Sequence, residues 1–188
     1  MNHDEIVAIQ KKIGVVADGF FGPKSIAAAK RHLRELMPNA LIWPATDQKS
    51  LSAFYGAAGD ESKLVNLPVT GLGVEYEGQA VKTIRCHTRV ANSLHNVLSE
   101  ISNSQFKPLL KQYAGCFNNR LMRNGSSPSL HARGAAIDLN PNYNGNFQSW
   151  PHAANMPFEV MEMFAKEGWI SGGAFWGRDA MHHEATQQ

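Results

Sequence analysis

The run SLHARGAAIDLNP, from Ser129 to Pro141, constrains this chain more than any other segment. It sets His131 and Asp138 seven positions apart with Gly134 between them, and further histidines follow near the C-terminus in RDAMHHE. Two nitrogens and one carboxylate can hold a metal at three positions and leave a fourth for water, the arrangement of catalytic rather than structural zinc. On one helix His131 and Asp138 would stand two turns, about 10 Å, apart, too far to share an ion. The spacing therefore predicts a bend at Ala132–Gly134 that runs into a strand. From Ala135 to Asn140 the side chains then alternate, with Ile137 and Leu139 facing a core and Ala136, Asp138 and Asn140 facing the other way. Small Ala136 leaves room beside Asp138, and Pro141 ends the strand. The plain alternative is a loop histidine and a strand-end carboxylate bonded to a turn. The glycine bend, the small neighbour and the second histidine cluster argue against it.

The pattern Ser129-x-His131-x-x-Gly134-x-Ala136-x-Asp138, followed by Asp179-x-x-His182, resembles a family of zinc peptidases. That family includes D-alanyl-D-alanine carboxypeptidases, vancomycin-resistance dipeptidases and phage L-alanyl-D-glutamate endopeptidases. The likeness runs from about Leu51 to Glu184 and takes in FYGAAG, IRCH and CFNNR ahead of the motif. It implies one zinc per chain, held by His131, Asp138 and His182, with Asp179 as general base. The chain departs from the family at one point. An aromatic residue usually follows the last ligand, and here His183 does, so His182 and His183 both stay open as the third ligand. Residues three apart face opposite sides of a regular strand. Asp179 is therefore expected in the turn Gly177–Asp179, with a strand starting just after it, and Glu184, on the same face as His182, is the alternative base.

The chemistry asks for such groups. Zinc lowers the pKa of bound water to about 7 and polarises a carbonyl, a carboxylate can shuttle the proton to the leaving amine, and the oxyanion needs a positive partner. Arg120 is the candidate for that partner, with Arg123 behind it; the family carries an arginine in this region. Ser129 is expected on the substrate side of the motif, bonding the backbone or a ligand, and has no triad partner for nucleophilic catalysis. Trp176 and Trp169 are candidates to flank a substrate groove, with core packing as the other reading.

Composition narrows the classes. The 188 residues carry 18 basic and 16 acidic side chains, a net charge of +2 too mild to argue for nucleic acid. No apolar stretch is long enough to span a membrane, and the first twenty residues lack the apolar centre of a signal peptide. Synthesis in the cytoplasm without stable membrane association is the expectation, with action at the wall if the resemblance holds. Cys86 and Cys116 match neither a disulfide framework nor a CxxC zinc site, and are expected as buried free thiols.

The N-terminal 37 residues read as two helices around VADGFFGPKS. Ile6, Ile9 and Ile13 share one face, Ile26, Ala29, Leu33 and Leu36 another, and Pro23 suits the start of the second helix. Gln10, Asp18, Gly19, Phe21, Gly22 and Pro23 resemble the peptidoglycan-binding module of cell-wall hydrolases. The complete module is longer, so this is a truncated copy or its third helix falls near Gln48–Tyr55. The plain alternative is a helical hairpin that simply packs on the catalytic domain. The division expected is thus a helical module at 1–37, a linker at 38–50 and a peptidase domain at 51–188.

The remainder reads as α+β, a small antiparallel sheet with flanking helices. Strands are expected in LVNLPV, VKTIRCH, CFNNRLM, AAIDLN, WISGGAFW and MHHE, and helices in RVANSLHNVLSEI and MPFEVMEMFAKEG. The resemblances together imply a monomeric zinc endolysin of bacterial peptidoglycan that cuts L-alanyl-D-glutamate. A D,D-carboxypeptidase and a non-catalytic wall-binding phage protein are the rivals.

Overall fold

The computed structural model describes residues 1–40, 42–123 and 125–187, and it mixes helices with small antiparallel sheets as the patterning predicts. Helix α1 (His3–Lys12) opens on a capping box. The Asn2 side chain accepts from the Glu5 backbone N–H and the Glu5 carboxylate accepts from that of Asn2, which satisfies two donors the helix itself cannot. Helix α2 (Pro23–Leu36) starts on Pro23, whose fixed φ suits a first turn. The turn between them is organised by buried Gln10, whose side chain donates to Asp18 and to the Phe20 carbonyl and accepts from the Gly19 N–H.

These two helices lie against the rest of the chain. The Phe21 ring meets Trp150 edge-on at 5.3 Å, His32 lies 5.6 Å from the Phe158 ring, and Glu162 takes both Lys12 and His32 at 2.7 Å. Ile6, Phe21 and Leu33 belong to one continuous core with residues as distant as Ala185. In the segment expected as linker, Trp43 is buried and its indole N–H donates to the Glu167 carbonyl. The boundary drawn at Ser50 falls inside helix α3 (Gln48–Tyr55), because Asp47 caps it by accepting from the Ser50 N–H. Helix α3 turns toward the C-terminal strand, where the Tyr55 hydroxyl donates to the Ala185 carbonyl at 2.6 Å.

Strand β1 (Leu64–Pro68) is followed by the hairpin of β2 (Glu75–Tyr76) and β3 (Gln79–Ala80), and then by β4 (Thr83–His87), which pairs antiparallel with β1. Helix α4 (Ala91–Ser102) buries Leu94, Val97, Leu98 and Ile101 completely, the face its periodicity predicts. The main sheet contains β5 (Tyr113–Gly115), β6 (Ala136–Leu139), β7 (Ile170–Ser171) and β8 (His182–Glu184) in the order β5-β6-β8-β7, antiparallel throughout. Helix α5 (Phe158–Lys166) covers it with Phe158, Met161 and Phe164, each such side chain contributing about 1.5–3 kcal/mol by burial. Helix α6 (Gly172–Trp176) links β7 to the turn before β8.

Two strand expectations are corrected. CFNNRLM is an irregular loop in which Leu121 makes one bridge to Pro128. Its backbone folds back onto the segment around Ser129 and His131 instead, Asn118 donating to the His131 carbonyl and Ser129 to that of Arg120. WISGGAFW is a strand only at Ile170–Ser171 and then becomes α6. There the glycines admit close neighbours: a Cβ at Gly172 would stand 2.5 Å from the Asp179 carbonyl. Among the described residues no helix is long and apolar enough to cross a membrane.

Candidate metal centre

The bend at Gly134 brings the two halves of the first motif together. Ser129 caps a short 3-10 helix, Leu130–Arg133, by accepting from the His131 N–H, so its side chain bonds the backbone as its sequence position predicts. Gly134 ends that helix at φ +64, in the left-handed region that disfavours other residues. A Cβ there would come within 2.9 Å of the His87 backbone nitrogen. Strand β6 follows at once. Asp138 lies opposite His182 and Ile137 opposite His183, so Asp138 and His182 share one face of the sheet while Ile137 and His183 share the other.

Three donor atoms converge on that face. His131 Nε2 is 3.2 Å from Asp138 Oδ1 and 3.1 Å from His182 Nδ1, and His182 Nδ1 is 3.0 Å from Asp138 Oδ1. Ligands about 2.0–2.1 Å from a tetrahedral zinc lie about 3.3 Å from one another. The triangle is therefore of the size a single ion requires, and the three residues form a group able to hold one. The outer ring nitrogens are also committed. His131 Nδ1–H donates to the Cys116 carbonyl at 2.7 Å, and His182 Nε2–H donates to the Glu184 carboxylate at 3.1 Å. Each bond fixes a tautomer with its lone pair toward the triangle, the support that metal-ligating histidines use. Thr186 in turn donates to the other Glu184 oxygen at 2.7 Å.

The charges fit this arrangement. Burial opposes ionisation of Asp138, but hydrogen bonds from His131 and His182 outweigh it and hold the carboxyl well below its usual range. Burial likewise opposes charge on His182, yet its bonds to Asp138 and Glu184 push it up to about 10. His183 is a different residue altogether. It is fully buried, stacked on Phe164 at 3.8 Å and hydrogen-bonded to Ser171, and burial lowers it to about 3. The structure brings His182, not His183, to His131 and Asp138.

Asp179 sits in the turn before β8 at φ +55, as strand geometry requires. It lines the same cavity of about 200 Å³ as Asp138 and His182, and its Oδ1 is buried with no hydrogen-bond partner among the described residues. Burial pushes its carboxyl above the ordinary value, with attraction to His182 opposing and the Asp138 charge adding to the rise. Glu184, the alternative base, has both oxygens engaged by His182 and Thr186. Arg120 lines the cavity while its guanidinium donates to the Leu121 carbonyl. It is Arg123 whose charge acts on Asp179, and Arg178, which sequence reasoning passed over, lines the cavity as well. Trp176 stands at the mouth, 36% exposed, its ring 5.4 Å from that of His182, whereas Trp169 is core and donates to Ser93.

Residues 123–185 match the family model described as D-alanyl-D-alanine carboxypeptidase. That span holds all three converging donors and Asp179. The match supports a peptidase of the D-alanyl-D-alanine carboxypeptidase type. No curated protein and no solved structure matches the chain significantly. Sequence reasoning missed two supports of this candidate site. Buried Arg133 donates to Gly56, Gln48 and Ser52 and so locks the metal motif to α3, and Glu184 orients His182. The second was legible from the two-residue spacing of His182 and Glu184 along one face of β8; the first had no local signal.

Proposed function

We propose that the protein is a zinc endopeptidase of bacterial peptidoglycan that hydrolyses the L-alanyl-D-glutamate bond of the stem peptide, and that it acts as an endolysin. One observation carries the reading: three donors lie 3.0–3.2 Å apart, and two of them, Asp138 and His182, line a cavity together with Asp179, whose carboxylate Oδ1 is unpartnered among the described residues. His131, Asp138 and His182 would hold one zinc ion. Bound there, zinc supplies a Lewis acid and a water acidified to a pKa of about 7. Asp179, raised by burial, is matched to take a proton from the attacking water and hand it to the leaving amine. Arg120, Arg123 and Arg178 give the cavity a cationic wall suited to an oxyanion and to the carboxylates of an acidic stem.

The choice of bond follows from what lysis requires. Cleavage between L-alanine and D-glutamate detaches a cross-linked stem from its glycan, and removal of a terminal D-alanine does not. Mass spectrometry of fragments from purified peptidoglycan decides between them. New D-glutamate amino termini without new reducing ends are expected, and free D-alanine as main product would establish the carboxypeptidase that the matched family model names. Intact Asp179 speaks against a non-catalytic wall protein.

Wall attachment is proposed for the α1–α2 turn. Val16 and Phe20 are 78% and 69% exposed beside an apolar hollow that Gln10 and Pro23 also line. Because Phe21 and Leu33 share the core with Phe158, deleting residues 1–37 would damage the peptidase itself. Phe20→Ser is the cleaner test. Pelleting with insoluble wall should weaken while cleavage of a soluble muropeptide persists, and unchanged pelleting would leave the turn a packing device. The protein is proposed to act as a monomer, reaching the wall from the cytoplasm.

A further inference from the structure

The metal cavity does not end at Trp176. A second hollow of about 210 Å³ continues beyond it toward α3, and the two share Met122, Leu130, Trp176 and Glu184 as walls. A peptide crossing the metal centre would therefore lie in both. Their chemistry differs. Arg120, Arg123 and Arg178 face the metal side, whereas Thr46, Gln48, Leu51 and Pro128, on the far side, are all uncharged. Glu184 is the one ionisable group among the described residues of the far hollow, and its oxygens are taken by His182 and Thr186. An anionic residue entering there would meet a carboxylate and no cation, while a small neutral residue meets the faces of Leu51, Leu130 and Trp176. The floor is firm, since Gln48 donates to the Pro128 carbonyl and accepts from buried Arg133.

We infer that the hollow between α3 and the Leu121–Pro128 bridge is the subsite for the uncharged acyl side of the scissile bond, the alanyl residue with the lactyl group attached to it. The arginine-lined cavity takes the carboxylate-bearing amino side. Charge complementarity favours this direction, and with zinc held by His131, Asp138 and His182 the continuity of the two hollows would bring the alanyl carbonyl to the cavity that Asp138 and His182 line. The inference rests on the peptidase reading above. It also gives a role to a segment expected to be linker, because Thr46 and Gln48 become part of the site.

Thr46 is exposed at the rim, so it accepts a large side chain without disturbing the core. The test measures kcat/KM of zinc-loaded wild type, Thr46→Trp and Thr46→Arg on three soluble peptides that share a D-glutamyl-L-lysine amino side. One carries lactyl-L-alanine before the scissile bond, one carries L-alanine alone, and one carries lactyl-L-aspartate. Filling the hollow should lower the ratio of lactyl-alanyl to alanyl cleavage by roughly tenfold or more, the size of effect that a pocket contact confers. Thr46→Arg should raise relative cleavage of the aspartyl peptide by a similar factor. Zinc content reports folding, and if Thr46→Trp loses zinc the arginine variant decides alone. Ratios unchanged in zinc-loaded variants would overturn the subsite. Wild-type enzyme that cuts none of the peptides would instead overturn the L-alanyl-D-glutamate reading beneath it.

Discussion

Replacing Gly134 with alanine tests the bend on which the centre depends. At φ +64 an L-residue costs about 1–2 kcal/mol. The new Cβ would also lie 2.9 Å from Leu64 Cδ2 and 2.9 Å from the His87 backbone nitrogen. The leucine methyl can rotate away. The nitrogen cannot, because it donates to the Gly134 carbonyl at 2.8 Å and is anchored in β4. Overpacking against a fixed group adds about 1–3 kcal/mol, so the total centres near about 3.5 kcal/mol. In a chain of this size each kcal/mol lowers Tm by about 2–4 °C, which gives a fall of about 7–14 °C. Gly78→Ala is the control. It too has positive φ, +76, but no heavy atom lies within 4 Å of its Cβ, so only the backbone cost of about 1–2 kcal/mol applies. Thermal melts of both variants beside wild type isolate the contact. Equal melting of the two would refute the steric argument, and Gly134→Ala should in addition bind zinc more weakly, because the bend carries His131.

Three further outcomes follow from the same geometry. Asp179→Asn should keep its zinc and its melting temperature and lose hydrolysis by about 100-fold or more, read in a muropeptide assay; retained activity would move the base elsewhere. Glu184→Gln should weaken zinc binding by about 10- to 100-fold in a chelator competition, through loss of the carboxylate that orients His182. Zinc and a proton compete for His182 Nδ1 in the metal-free protein, and that histidine is pushed up to about 10. Lower pH favours the proton, so affinity should rise about tenfold per pH unit between pH 6 and 9, and a flat profile would contradict the competition.

The centre was legible where local geometry constrains chemistry. A histidine and an aspartate seven apart around a glycine can meet only across a bend into a strand, and Asp179 three residues before His182 can face the same ion only from a turn. Helices with a full apolar stripe, such as α4, were equally plain. The identity of the third ligand was not, because adjacent histidines differ only in which face of β8 they occupy, and that depends on pairing with β6. CFNNRLM misled because its backbone partners are the metal motif itself, a long-range arrangement that leaves no period behind. The segment 38–50 looked like a linker because Pro and Thr mask what anchors it, the burial of Trp43 and the Asp47 cap.

The most direct test is anomalous scattering at the zinc edge from crystals of the zinc-loaded protein. A single peak is expected within about 2.0–2.2 Å of His131 Nε2, an Asp138 carboxylate oxygen and His182 Nδ1, with Asp179 outside bonding distance. Absence of that peak at saturating zinc, or ligation through His183, would contradict the account.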